Sequence, residues 1–273
     1  MTDAETRRPA DVWASGDAYE PYVGRWSRLV ARELLDWLNV PPGSRWLDVG
    51  CGTGAISQTI LDIAQPASIV AVDPSEAYTA YACRRFEGAP VEVKVGDARA
   101  IPVPDGAFDA VVSGLMLNFV PATDQSTAAA EMVRAARPGG TVAAYVWDYA
   151  GEMQFMRYFW DAAVALNPDD REIDEGPRFP ICQPEPLGAL FRDAGLADAE
   201  VRALDIPTVF RDFDDYWSPF LGGQGAAPAY AMSLSEERRT ALRDRIRAHL
   251  PFEQDGSISL IARVWAVRGT AAD

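Results

Sequence analysis

The sequence predicts an α/β fold built on a doubly wound, mostly parallel sheet. Three observations predict it. Short apolar strands alternate with helix-period segments from about residue 45 to residue 147. A glycine-rich turn, Asp48-Val49-Gly50-Cys51-Gly52-Thr53-Gly54-Ala55, separates the first strand from the helix behind it. Acidic residues, Asp73 and Asp97, then recur at the ends of the next two strands.

Each element has its own signal. Val23, Trp26, Val30, Leu34, Trp37 and Leu38 recur at spacings of three and four, so 19–38 reads as a helix, broken by Pro41-Pro42-Gly43. Residues 46–49 form a short strand, and Ile56, Ile60, Ile63 and Ala64 share one face of the helix that follows. Residues 69–72 are a buried strand, and Pro74-Ser75 opens a helix over 76–86. Residues 91–95 alternate as a strand near a sheet edge does, and 108–113 are a further apolar strand. A helix over 124–136 stops at Pro138-Gly139-Gly140, ahead of a fifth strand over 141–147.

Beyond that point, helices over 152–166 and 187–194 flank a proline-broken loop at 176–186. Residues 199–210 and 257–267 read as two more strands, separated by about forty-five residues. That connection holds an aromatic, glycine-rich stretch (Phe213, Tyr216, Trp217, Phe220, Gly222, Gly223) and a helix over about 234–250. A connection so long is expected to be functional or disordered, and aromatics in this number point to a lid or pocket wall.

Composition narrows the function. The 273 residues carry a net charge of −15, which repels phosphate backbones and anionic headgroups, so neither nucleic acid nor a membrane is an expected partner. Cys51, Cys83 and Cys182 are widely spaced and form no C-x-x-C, so a disulfide framework and a metal site are not expected, and the cytoplasm is. The first residues are acidic where a signal peptide is basic, and no apolar run reaches the roughly 18 residues of a membrane span.

The glycine turn lets a ligand approach the main chain, with helix amides aimed at it. As a bare pattern, Gly50, Gly52 and Ala55 also fit a dinucleotide fingerprint. Three carboxylates choose between a dinucleotide and a cationic ligand. Asp48, at the strand end, would repel a pyrophosphate but suits a ligand bearing an ammonium and a sulfonium. Asp73, 19 residues after Gly54, stands where a side chain accepts ribose hydroxyls, and Asp97-Ala98 where an adenine amino group can donate.

Asp48-x-Gly50-x-Gly52-x-Gly54, Asp73, Asp97-Ala98, Phe108-Asp109-Ala110-Val111 and Arg137-Pro138-Gly139-Gly140, in this order, resemble the successive motifs of class I methyltransferases that use S-adenosylmethionine (SAM). Within that family the chain resembles the ubiquinone and menaquinone biosynthesis type and related bacterial small-molecule enzymes. The resemblance implies a seven-stranded sheet with an antiparallel last strand. It also implies a single domain over 1–273: an N-terminal helical cap over 1–42, a SAM-binding core over 43–150, and a C-terminal part over 151–273. The last completes the sheet and carries a substrate-facing insertion over about 211–252.

By the same resemblance, SAM is held by Tyr22, Arg25, Asp48, Gly50, Gly52, Gly54, Asp73, Pro74, Ser75, Asp97, Ala98 and Ser113. A small-molecule methyl acceptor meets Asn118, Phe119, Trp147, Tyr216 and Trp217. Many relatives carry histidine where this chain has Asn118-Phe119, which leaves Asn118, Asp148 and Tyr149 as candidates for assisting the reaction. His249 is the one histidine, on a polar helix, and is expected to be solvated. Asp109 is expected to orient its strand and do no chemistry. Methyl transfer from a sulfonium mainly requires alignment and exclusion of water, so a missing base does not argue against an enzyme. An NAD(P)-dependent oxidoreductase and a non-catalytic SAM-binding protein are the competing readings.

Overall fold

Helix α1 (Arg25–Leu38) buries Trp26, Val30, Ala31, Leu34, Leu35 and Leu38, which includes most of the stripe its three-four spacing predicts, with Trp37 half-buried. A computed structural model describes it and the rest of residues 24–222 and 225–272. Tyr19, Tyr22 and the earlier part of the expected helical cap lie outside the described residues, as does Gly223.

Strand β1 (Arg45–Val49) leads through the glycine turn into α2 (Ala55–Ile63), and β2 (Ser68–Asp73) leads into α3 (Glu76–Arg85). The Ser75 side chain caps α3 by accepting the amide hydrogen of Tyr78. Then come β3 (Val91–Val95), β4 (Phe108–Gly114), α4 (Gln125–Ala135) and β5 (Ala136–Trp147). Strand β5 begins five residues earlier than its apolar run, because Phe108 already pairs with Ala136 before a register shift restores Ala110↔Thr141.

Helices α5 (Gln154–Leu166), α6 (Glu175–Arg178) and α7 (Pro184–Asp193) precede β6 (Leu196–Phe210). The expected loop at 176–186 is therefore largely helical: Asp174 caps α6 by accepting from Gly176, and Pro184 starts α7, where a missing amide hydrogen costs nothing. Helices α8 (Phe213–Trp217), α9 (Ala226–Ser233) and α10 (Glu236–His249) lead to β7 (Ile258–Ala271).

The sheet order is β3-β2-β1-β4-β5-β7-β6. Pairs β1–β2, β2–β3, β1–β4 and β4–β5 are parallel, and β7 runs antiparallel to β5, from Thr141↔Thr270 to Trp147↔Val264. This is the doubly wound, seven-stranded arrangement that the sequence resemblance implies. Chain order reverses between β1 and β4, so the carboxyl ends of these two strands flank the topological switch point, where open α/β sheets bind ligands.

Two compact units divide the described chain. The sheet unit holds Trp26–Trp147, Ile181–Leu204 and residues 264–272. Its core is the nearly inaccessible middle of β1, β4 and β5: Leu47, Val49, Ala110, Val111, Val112, Val142, Ala143 and Ala144. Asp109 ties three of its strands by accepting the Arg45 amide at 2.8 Å and Arg137 Nε at 2.7 Å, which holds its carboxyl down at about 2. That is the orienting role expected of it.

The helical unit holds Asp148–Pro180 and Asp205–Arg263, together with Arg25. An aromatic cluster forms its core. Phe155 stacks on Phe210 at 5.4 Å and meets Tyr216 edge-on at 5.2 Å, and Phe159 stacks on Phe220 at 4.5 Å. The aromatic stretch at 213–220 is thus helical and packed against other rings in its own unit.

Candidate functional site

The glycine turn is built against β2. The amides of Gly50 and Cys51 both donate to the Val72 carbonyl, at 2.7 and 3.0 Å. Gly50, Gly52 and Gly54 all have positive φ, at 75°, 53° and 85°. A side chain at Gly50 would run into Met116, and one at Gly54 would meet the Phe86 ring at 2.5 Å. At Gly52 nothing lies within 4 Å of the position a Cβ would take, so the turn presents bare backbone with space above it.

Asp48 is 1% exposed. Its Oδ2 accepts the Ser57 hydroxyl at 2.7 Å and the Ser57 amide at 3.1 Å, whereas Oδ1 has no hydrogen-bond partner. Burial pushes its carboxyl up to about 6, against the opposing effect of Ser57. Asp73 accepts on both oxygens: Oδ2 from the Gly52 amide and Oδ1 from the Ser75 amide, each at 2.9 Å. Burial raises its carboxyl also, and the two amides moderate the rise. Cys51 is buried, and its thiol is pushed far up by burial and then by the nearby carboxylates.

Asp97 follows β3 and is more exposed. Arg99 binds it through side chain and backbone, at 2.6 and 2.8 Å, and holds its carboxyl low. Arg99 also reaches Asp124 at 2.8 Å. Ala98 beside it is buried.

At the carboxyl end of β4, Ser113 is buried and its Oγ has no partner. Leu115 then takes a left-handed φ of 59°, a strained conformation for a branched residue, and donates to the Tyr145 carbonyl at 2.9 Å. The strained turn delivers Met116 against Gly50. Asn118 follows in a short 3-10 turn, 6% exposed, and its Nδ2 is without a partner. Phe119 is 41% exposed, and Trp147 is buried at the end of β5.

Residues 47–140 match a family described as a methyltransferase domain. The chain carries a class I SAM-dependent methyltransferase domain. The match decides between the two cofactors that the glycine pattern allowed: the cofactor of this domain is S-adenosylmethionine. The chain is 28% identical over 193 residues to 2-methyl-6-phytyl-1,4-hydroquinone methyltransferase of Synechocystis, a match covering 68% of this chain and 57% of the relative. It is 28% identical over 217 residues to demethylmenaquinone methyltransferase of Symbiobacterium thermophilum, covering 68% and 81%. The chain spans about half the length of some curated relatives it matches (52% and 57%). Phosphoethanolamine N-methyltransferase 2 of Haemonchus contortus, solved with phosphomonomethylethanolamine and S-adenosylhomocysteine, shares the fold at TM-score 0.57 and 17% identity, over 94% of this chain and 57% of its own.

Most residues singled out in the sequence fall in the methyltransferase domain's sheet unit. Among the described residues, five candidates for binding or catalysis, and His249, belong to the helical unit. Arg25 pairs with Asp215 at 3.1 Å and lies 4.8 Å from the Phe210 ring centroid, lining a cavity of about 470 Å3 with Asp215 and Arg211. Asp148 is buried and accepts the Glu152 amide at 2.9 Å. Tyr149 is buried with its ring 5.6 Å from Phe179. Tyr216 is fully buried and donates its hydroxyl to the Phe155 carbonyl at 2.8 Å. Trp217 is 7% exposed and packs on Phe213 and Phe220. His249 is exposed in the last turn of α10, its Nδ1 2.8 Å from the Arg245 carbonyl, as expected of a solvated residue.

Sequence reasoning missed Ser57, Met116 and Arg99. Ser57 had a signal: it is a polar residue on the buried side of a helix otherwise marked by isoleucines, where a hydroxyl needs a partner. Arg99 had a weaker one, two residues after Asp97. Met116 had none, because its contact with Gly50 crosses from one strand end to another.

Proposed function

We propose that the chain transfers the methyl group of S-adenosylmethionine to a small-molecule acceptor. The observation that carries this reading is the unpartnered Oδ1 of Asp48 beside a left-handed glycine turn at the switch point. A buried carboxylate oxygen without a donor costs on the order of 1–3 kcal/mol or more, and a ligand ammonium relieves that cost. The bare backbone at Gly52 supports the reading from the other side, since no side chain there keeps a ligand away from the main chain.

When bound, the cofactor supplies a methyl group activated by a positively charged sulfur. In this reading Asp48 and the 50–54 turn hold its methionine portion. Asp73, shaped by Pro74 and Ser75, keeps a free lone pair on each oxygen for the ribose hydroxyls. Asp97 and Ala98 border the adenine, and Ser113 lies beside the cofactor. Asn118, a neutral donor that cannot act as a base, orients the acceptor, with Phe119 and Trp147 beside it. Such a site works by alignment and exclusion of water. The names of two relatives support a hydroxylated ring as the first acceptor class to try.

The −15 charge supports a small acceptor over nucleic acid. No helix among the described residues is long and apolar enough to cross a membrane. Three free cysteines support a reducing, cytoplasmic setting.

Calorimetry with SAM and S-adenosylhomocysteine tests cofactor binding, and mass spectrometry of methyl transfer to phenolic, quinol, amine and thiol panels tests the reaction. Heat with both ligands and one methylated product are expected. No binding of either at millimolar concentration overturns the reading.

A further inference from the structure

We propose that Asp48 couples cofactor binding to proton release in mildly acidic solution, where its ligand-free carboxyl carries a proton that the ammonium of S-adenosylmethionine displaces. The inference rests on the methyl-transfer reading of the same site and adds how that site is regulated.

The surroundings of Asp48 are lopsided. In register it faces Ala71 on β2 and Val112 on β4, neither of which can hydrogen-bond through its side chain. Ser57 on α2 supplies both donors to Oδ2, and Oδ1 receives none. The charged group that acts on it is Asp73, at the end of β2 and of the same sign. Cys51, in the turn, has a thiol held neutral by burial and by these two carboxylates. Arg85 on α3 donates to the Thr53 carbonyl at 3.3 Å and to Gln58 at 3.4 Å, so its hydrogen bonds go to neutral oxygens.

A buried carboxyl with two donors on one oxygen, none on the other and a like charge nearby favours its neutral form. A ligand ammonium reverses the balance: the O–H bond breaks, the proton passes to solvent, and the carboxylate pairs with the cation. Cofactor affinity therefore falls as acid reprotonates Asp48.

The folding linkage has a definite sign. Burial raises the folded-state carboxyl to about 6, above its ordinary 3.8, so the folded chain binds more protons than the unfolded one between those values. Asp48 thus destabilises the ligand-free protein at pH 8, and this effect fades as pH falls through about 6.

Two measurements test the proposal. Calorimetric titration with SAM at pH 6 and pH 8, in two buffers of different ionisation enthalpy, reads proton release directly. The expected result is a buffer-dependent heat at pH 6 equivalent to about half a proton, little at pH 8, and about tenfold weaker binding at pH 5 than at pH 7. Separately, D48N should melt above the wild type at pH 8, with the advantage shrinking by pH 5. Binding with identical heats in both buffers at pH 6, or a D48N melting difference that does not change with pH, overturns the proposal. If SAM gives no heat at any pH, the methyl-transfer reading fails, and the melting comparison still decides whether Asp48 holds the proton.

Discussion

Asp73 accepts the amide hydrogen of Gly52 at 2.9 Å, so a carboxylate at the end of β2 shapes the turn that leaves β1. Its other oxygen takes the Ser75 amide at the same distance. The residue assigned to a ligand's ribose therefore also holds the protein's own backbone.

Asp73→Ala should show both roles. Two amides lose their acceptor, which should cost about 1–3 kcal/mol of stability, and the lost ribose contact should weaken SAM binding by roughly 1.5–3 kcal/mol. Urea denaturation and calorimetry on the same variant separate them. Reduced stability with unchanged affinity would leave Asp73 as a turn-holding residue alone.

Gly50→Ala and Gly52→Ala should diverge. Both positions have positive φ, which costs an alanine about 1–2 kcal/mol. At Gly50 the added methyl also meets Met116, so that variant should be the less stable. At Gly52 the methyl enters open space, so the variant should melt closer to the wild type and lose mainly cofactor affinity. Equal affinity for SAM in Gly52→Ala and wild type would place the ligand elsewhere.

Trp217→Ala should act on stability first. The ring is 7% exposed among Phe213 and Phe220, and truncating such an aromatic costs about 3–5 kcal/mol. Tyr216→Phe should cost less, about 1 kcal/mol, for the hydrogen bond to Phe155. Chemical denaturation of both variants gives the comparison. A Trp217→Ala protein of wild-type stability but with a raised acceptor KM would support the lid reading of this segment.

Thr208→Val should stabilise. Thr208 is fully buried on β6 and its Oγ1 has no partner, so an isosteric methyl removes an unsatisfied hydroxyl. A gain of about 1 kcal/mol in denaturation is expected. A loss of that size would mean that the hydroxyl is satisfied in solution.

The order of strands, the glycine turn and the three carboxylates Asp48, Asp73 and Asp97 were legible in the sequence because each is local. An alternation of apolar runs, a cluster of glycines between a strand and a helix, and an acid at a strand end are all statements about neighbours along the chain. The two late strands were legible for the same reason, although β7 lies between β5 and β6 only in the folded sheet. Helix α6 was not legible, since a four-residue helix held by the Asp174 cap has no periodicity to read.

What the tertiary structure alone decided concerns partners distant in sequence. Asp48 is the clearest case. The sequence placed an acid beside the turn, but that one oxygen is held by Ser57 and the other by nothing depends on how α2 closes over β1. Likewise composition marks the aromatic run at 213–220 but cannot say which side chains its rings touch. Its rings meet Phe155 and Phe159, residues far away in the chain, because burying apolar area against other apolar area is a large gain in water. Local pattern determines which elements form and where a ligand's charges can be met. Long-range packing decides which polar atoms are left for that ligand.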